Sequence, residues 1–398
     1  MIRKALNPFL KITRIALFYL FRMLPIKKNK VISNAFRGRL YGDNQKFIVE
    51  ELHRLCPHLD FVWIVDKRYE YSMPEWIRPV TYSWFRWLYE FATAKVWIDN
   101  SGLPRYFNKR KHQLFVETWH GGLGIKKVEG DIIGELAKKE RVLRWQIADV
   151  FISNSDHLSA IYRRAFRYPG PIWKCGYPKN DILINGDPTY GESARKQLGI
   201  PANNKVALYA PTWRLRFRDE QSVDMSVYDI DFRRLKDALT TKFGVEWTVA
   251  IRLHQTIKIF ATDIQQTNPE VLDATSYPEM QRLLMATDVM ISDYSSCIFD
   301  AAIRRIPCFT YATDFEQYKV EERGVYYEME ELPFPYATNN DELVSNIMTF
   351  DKEEYLRRWD AFCVRMGLYE TGHSSRDIAE KILDFIRDKP VEWPNDYV

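Results

Sequence analysis

Val289-Met290-Ile291-Ser292-Asp293-Tyr294-Ser295-Ser296-Cys297-Ile298-Phe299-Asp300 is the stretch on which the reading of the fold turns. A short apolar run over Val289–Ser292, bounded by a polar turn, reads as a strand buried on both faces of a parallel sheet. A helix is expected to begin near Ser295. Hydroxyls and unbonded amides at a helix start suit an anion such as a pyrophosphate. Asp300, four residues after Ser296, falls on the same side of that helix, where it can accept from sugar or polyol hydroxyls. Taken alone, the same residues also read as a plain N-cap.

The pattern repeats outward in both directions. Strands are expected at Val31–Asn34, Phe61–Val65, Lys95–Ile98, Leu114–Thr118 and Val150–Ser153, then at Val206–Ala210, Trp247–Ile251 and Cys308–Tyr311. Helical patterns lie between them, at Gln45–Leu55, Ser155–Arg167, Phe232–Lys242 and Asp341–Thr349. Strand and helix in alternation mean an α/β fold. Tyr168-Pro169-Gly170-Pro171 interrupts the pattern and sets a boundary. The expected domains are residues 1–30, 31–172 and 173–398, with room for the last helix to pack back on the N-terminal domain. The two larger ones are expected to be facing Rossmann-like domains, whose ligands bind beyond the carboxyl ends of strands.

Three more polar clusters close predicted strands. Thr118-Trp119-His120-Gly121-Gly122 offers glycines for close backbone approach and, in His120, a base that titrates near neutral pH. Tyr209-Ala210-Pro211-Thr212-Trp213-Arg214 ends in a stiff turn with a hydroxyl at its edge. Ile251-Arg252-Leu253-His254 sets Arg252 and His254 two apart, pointing the same way on an extended chain, and arginine forks match phosphate oxygens. Each cluster by itself also reads as an ordinary strand-to-loop turn with a structural histidine or surface arginine.

The first thirty residues differ. Asn7 and Pro8 give a helix start, an apolar run reaches Leu24, and Pro25 ends it. Lys4, Lys11, Arg14 and Arg22 fall within an arc of roughly 80° at ~100° per residue. Lys27, Lys28 and Lys30 follow. Lys11 and Arg14 in mid-run disfavour a membrane-spanning helix, and no small-residue cleavage site marks a signal peptide. An amphipathic helix lying on an anionic membrane surface is expected; packing on its own protein is the alternative. The chain of 398 residues is 46% hydrophobic and 28% charged, which is globular, and a net charge of +4 is too weak for a dedicated nucleic-acid binder. Five scattered cysteines without a C-x-x-C suggest neither a disulfide framework nor a zinc ribbon, and point to reduced thiols in a cytosolic compartment.

Together the four clusters, in this order, resemble the CDP-glycerol glycerophosphotransferase family, the teichoic acid primases and polymerases. The resemblance spans roughly residues 30–390 and takes in Asn100-Ser101, Pro104, Gly176-Tyr177-Pro178-Lys179-Asn180-Asp181, Arg323-Gly324 and Gly372-His373-Ser374-Ser375. It implies the two-domain GT-B fold and transfer of glycerol phosphate from CDP-glycerol to a lipid-linked saccharide or polyol-phosphate acceptor, with release of CMP. It implies that His120 and His254 are catalytic. Trp119, Gly121, Lys179, Pro211, Thr212, Arg252, Ser295, Ser296 and Asp300 fall at donor-binding positions, and Gly122, Leu123 and Leu253 complete the substrate-binding set. It implies residence on the cytoplasmic membrane face. The chain departs from the family where Gly122-Leu123 replaces Thr-Pro, Lys179 replaces Arg and Gln255 replaces Pro; the first change puts the polyol in question.

The expected chemistry is in-line attack of an acceptor hydroxyl on the phosphorus bearing the polyol. His120 takes the proton, while Arg252, His254 and the helix start near Ser295 hold the pyrophosphate and departing CMP. No carboxylate cluster has metal spacing, so neither metal nor cofactor is expected. Competing readings are a ribitol-phosphate transferase using CDP-ribitol, a GT-B glycosyltransferase using a nucleotide sugar, and a membrane-bound, lectin-like scaffold. The length leaves little room for an appended acceptor-tracking domain, which favours a primase or short-chain transferase.

Overall fold

In the computed structural model, residues 2–69, 72–82, 85–132, 144–214, 225–254, 257 and 259–391 are described, with backbone alone for 2–9, 225 and 259. They form two compact units. The first takes in Met1–His120, Glu140–Asp181 and Tyr369–Val398; the second takes in Gly121–Lys139 and Ile182–Leu368.

The first unit is built on a seven-stranded sheet of β1 (Lys27–Asn34), β2 (Asp60–Val65), β3 (Ile77–Thr81), β4 (Ala94–Asp99), β5 (Leu114–Glu117), β6 (Val150–Ser153) and β7 (Ile172–Lys174), in the order β3-β2-β1-β4-β5-β6-β7. The second has six strands, β8 (Lys205–Tyr209), β9 (Trp247–Ile251), β10 (Leu272–Asp273), β11 (Val289–Ser292), β12 (Cys308–Tyr311) and β13 (Tyr336–Ala337), in the order β10-β9-β8-β11-β12-β13. Every pairing is parallel. Each order reverses once, at β1/β4 and at β8/β11, the Rossmann arrangement in which ligands sit beyond the carboxyl ends of strands at the reversal.

The nine expected strands are present to within a few residues at either end. The four that sequence reading missed, β3, β7, β10 and β13, are the edges of the two sheets. Most central strands are buried along their length and carry short apolar runs. Edge strands need no such run, and β3 even holds Pro79, whose missing N–H an edge tolerates.

The first helix runs from Ile2 to Phe21, so it begins before the expected Asn7-Pro8 start. Residues Ile2–Leu6 carry no helix breaker, and Pro8 removes a single hydrogen bond inside the helix. It ends at Phe21, ahead of Pro25, where the Arg110 guanidinium donates to the carbonyls of Arg22 and Leu24, both at 2.7 Å. Phe18 is fully buried among Trp87, Phe91, Trp97 and Phe107, and Leu17 and Phe21 pack beside it. The helix is therefore anchored on its own domain core. Tyr19, Leu20, Met23 and Leu24 remain exposed. Lys30 is a correction to the expected basic surface: it lies in β1, buried, and donates to Glu90 at 2.6 Å and Thr93 at 2.8 Å. No helix among the described residues is long and apolar enough to cross a membrane.

Candidate active site

In the first unit the polar residues gather where β1, β4 and β5 end. Trp119 adopts a left-handed backbone (φ 52) directly after β5, a conformation that costs a non-glycine residue of order 1 kcal/mol. Its N–H donates to Glu117 at 3.0 Å, and Thr118 Oγ1 donates to its carbonyl at 2.9 Å, so the turn is held from both sides. The His120 ring lies 4.0 Å from the Trp119 ring and 5.2 Å from Phe36. His120 Nδ1 is 2.8 Å from the Asn100 carbonyl. A carbonyl can only accept, so Nδ1 carries the proton and Nε2 is the basic nitrogen.

Asn100 is itself fixed. Its side chain accepts from Phe36 N–H at 2.9 Å and donates to Asp43 at 2.6 Å. Beneath it, Asp99 accepts from Asn34 at 2.5 Å and from Ser101 N–H at 2.6 Å. Burial pushes the Asp99 carboxyl up to about 6. Burial, and then the charge of Asp99 opposite on β4, pushes Glu117 well above the carboxylate range. Sequence reading passed over both carboxylates because Glu117 lies inside an expected strand and Asp99 directly after another, where nothing local distinguishes a buried acid from one at a sheet face.

Lys179 joins this group. Its Nζ approaches the His120 carbonyl at 3.4 Å and its N–H donates to Asn44 at 3.2 Å. It is placed by a buried scaffold that uses two of the resemblance motifs. Glu370 accepts from Tyr177 N–H at 2.9 Å, Asn180 at 2.8 Å and Asn154 at 2.9 Å. Asp181 accepts the N–H groups of Ser374 at 3.0 Å and Ser375 at 2.7 Å. Gly176 (φ +83) has no room for a side chain, since a Cβ would meet Ser374 Oγ at 2.5 Å.

Gly121, Gly122 and Leu123 belong to the second unit. Leu123 is buried, and Gly124 N–H donates back to the Gly122 carbonyl at 2.7 Å, a three-residue turn. In this unit the remaining predicted residues close β8, β9 and β11. Arg252 N–H donates to Tyr209 O at 2.9 Å and Ala210 N–H to Ile291 O at 3.0 Å, tying the three strand ends together. Thr212 is buried, and its hydroxyl has no partner among the described residues. Pro211 is buried beside it. Arg252 is half-buried and donates to the Tyr277 carbonyl at 2.5 Å; burial lowers it to about 10, so it stays charged at neutral pH. Leu253 is buried and its N–H donates to Thr275 at 3.1 Å. His254 is exposed, its ring stacked 5.6 Å from that of Trp213. Gln255 lies outside the described residues.

The helix expected near Ser295 spans Cys297–Ile303, with Ser296 at its N-cap making no side-chain cap hydrogen bond. Its seven residues make a weak dipole, so the half-buried hydroxyls of Ser295 and Ser296 are what this turn offers a ligand. Asp300 is buried and accepts from Gln281 at 3.3 Å. The delay in helix start has a cause: Asp293 Oδ1 accepts the N–H groups of Thr212 at 2.7 Å and Tyr294 at 2.5 Å. Arg214, fully buried, donates to Asp293 at 2.8 Å, to Asp314 at 2.8 Å and to the Thr212 carbonyl at 2.5 Å. This clamp locks the β8 and β11 turns to each other. A cavity of about 420 Å³ between Ser226, Thr313 and Tyr336 in the same unit contains none of the predicted site residues. No cluster of three or more metal-binding side chains occurs among the described residues.

The profile of the CDP-Glycerol:Poly(glycerophosphate) glycerophosphotransferase family matches residues 16–384. The chain belongs to this family. It is 29% identical over 400 residues to a teichoic acid poly(glycerol phosphate) polymerase of Bacillus subtilis, covering 96% of this chain and 52% of that protein. A teichoic acid glycerol-phosphate transferase of Staphylococcus aureus is 28% identical, covering 96% of this chain and 100% of that protein. The chain thus spans about half the length of the Staphylococcus epidermidis and Bacillus subtilis polymerases and the full length of that transferase. Among solved structures, a variant of the wall teichoic acid polymerase TagF soaked with CDPG is 26% identical with a TM-score of 0.82, covering 97% of this chain and 98% of that one.

Proposed function

We propose that this family member transfers glycerol phosphate from CDP-glycerol to an acceptor hydroxyl and releases CMP, in the synthesis of a teichoic-acid-like or capsular polymer. The observation that carries the reading is the placement of His120. Its ring is oriented by the Asn100 carbonyl at 2.8 Å, which keeps the proton on Nδ1 and makes Nε2 the basic nitrogen. In the reaction the acceptor oxygen attacks the phosphorus bearing glycerol, its proton passes to His120 Nε2, and the bond from that phosphorus to the CMP oxygen breaks. In the second unit Arg252, His254, Thr212 and the Ser295-Ser296 hydroxyls hold the diphosphate and take up the charge that grows on CMP. Asp300, Pro211 and Leu253 line the same strand ends and shape the donor's place. Trp119, Gly121 and Lys179 are further donor-binding residues, with Gly122 and Leu123 completing the substrate-binding set. The two sheets, each with the Rossmann strand order, are read as a GT-B pair. The acceptor is a lipid-linked saccharide or polyol phosphate, reached from a peripheral position on the cytoplasmic face of an anionic membrane.

The second reading, CDP-ribitol as donor, is favoured by one feature. Gly122-Leu123-Gly124 forms a three-residue turn where the family carries Thr-Pro, and that change lies beside His120. Two measurements decide. CMP release is expected from CDP-glycerol in preference to CDP-ribitol. His120→Ala and His254→Ala are each expected to lower it by about 10²–10⁴-fold; near-wild-type turnover by either variant removes that histidine from the mechanism.

A further inference from the structure

The chain beyond His120 is pinned to the second unit by its backbone. Lys126 bridges antiparallel to Val325, flanked by hydrogen bonds from Lys127 N–H to Gly324 O at 3.0 Å and from Tyr326 N–H to Ile125 O at 2.7 Å. The Tyr326 hydroxyl accepts from Val128 N–H at 3.3 Å and donates to Asp131 at 2.9 Å. This clasp holds Lys126 opposite Val325 with Arg323 two residues along, close enough for the charge of Arg323 to act on Lys126.

Neither cation forms an ion pair with any described residue. The carboxylate that acts on Lys126, Asp293, is already taken by Arg214 and by two backbone N–H groups. Cys297, at the end of the β11 turn, lies within electrostatic reach of both Lys126 and Arg252. Arg252 has carbonyl partners and likewise no described ion pair. Lys126 and Arg252 thus both reach the turn that carries Ser295 and Ser296, Arg323 stands beside Lys126, and the Thr212 hydroxyl at the same turn has no partner among the described residues. Burial and the charge of Arg323 draw Lys126 down to about 8. A backbone-enforced meeting of like charges is relieved when an anion of more than one charge arrives.

We propose that Lys126 and Arg323 bind the diphosphate of a nucleoside diphosphate donor, a second cationic arm beyond Arg252. The proposal rests on the donor reading above and adds two residues that none of the four strand-end clusters contains. One phosphate can meet the Arg252 side of the turn and the other the Lys126–Arg323 side.

The test is calorimetric titration of the full chain with CDP, CMP and cytidine, together with KM for CDP-glycerol. The wild type is expected to rank them CDP, CMP, cytidine. Lys126→Met and Arg323→Gln are each expected to weaken CDP binding about tenfold or more, the scale of a lost charge-assisted hydrogen bond. Cytidine binding should stay unchanged, which also reports an intact fold. KM should rise more than kcat falls, and Lys126→Arg should keep most of the affinity. If both variants bind CDP as the wild type does while CDP-glycerol is still turned over, the second arm is wrong and the donor reading survives. The assignment also fails if CDP, CMP and cytidine weaken equally. A wild type that neither binds CDP nor releases CMP from CDP-glycerol overturns the donor reading and this proposal with it.

Discussion

Lys126 shows how one side chain can be tuned against its own stability. Its ordinary value of 10.5 applies in the unfolded chain, and about 8 in the folded one. Between these limits the unfolded state holds a proton that the folded state has released, so folding gains as pH rises from 8 towards 10.5 and is penalised in full below 8. The groups acting on it are Arg323 and Arg214, which disfavour its charge, and Asp293 and Cys297, which favour it. Lys126→Met is therefore expected to raise the melting temperature of the ligand-free protein at pH 7. Thermal scans should show that gain shrinking above pH 8 and vanishing near 10.5. Donor affinity should move oppositely, falling in the wild type as pH rises through about 8. A residue costly to the free protein and useful to the complex is the usual trade between stability and function.

At the scale of elements, the strand ends are useful because something rigid holds them. In the second unit that role falls to Arg214, whose guanidinium joins the β8 turn to Asp293 after β11 and to Asp314 after β12. The Tyr294 hydroxyl adds a hydrogen bond to Asp314 at 2.9 Å, and the Tyr294 and Tyr318 rings stack on each other at 3.9 Å. Removing Arg214 takes the paired cation from two buried carboxylates, Asp293 and Asp314. Arg214→Met is expected to cost about 3–5 kcal/mol in urea unfolding; a loss below about 1 kcal/mol would show that water or neighbouring groups can replace the clamp. The same scale explains what could be read in advance. Strands β8 and β11 carry apolar runs over Val206–Tyr209 and Val289–Ile291, β4 one over Val96–Ile98 and β1 only Val31-Ile32, each fully buried. Strands β3, β7, β10 and β13 sit at the edges; β7, β10 and β13 have three residues or fewer, and β3 is broken by Arg78-Pro79, so all four merge into loop composition.

For the whole molecule, the first helix changes the membrane question. Phe18 is part of the domain core, and Lys27 already opens the central strand β1, so deleting residues 1–30 would dismantle the first sheet. The informative variants lie on the exposed apolar side. Leu20→Ser with Met23→Ser, residues 57% and 81% exposed, should leave the melting temperature near wild type while reducing flotation with anionic liposomes. Unchanged flotation would remove this helix from membrane association.

The sequence by itself determined the parallel α/β class, the nine covered strands and the four polar clusters at their ends, because burial on both faces imprints a continuous apolar run and the turns beyond it must be polar. Tertiary structure decided the rest. Asp99, Glu117, Arg214 and Lys126 owe their properties to neighbours distant in the chain, whose charge and desolvation no local window contains. Lys30 reads as one more surface lysine until Glu90 meets it. The turn after Val289–Ser292 followed the same division: its hydroxyls were legible in order, but the late helix start and the cations around it were set by Arg214, Arg252 and a clasp between residues nearly two hundred apart.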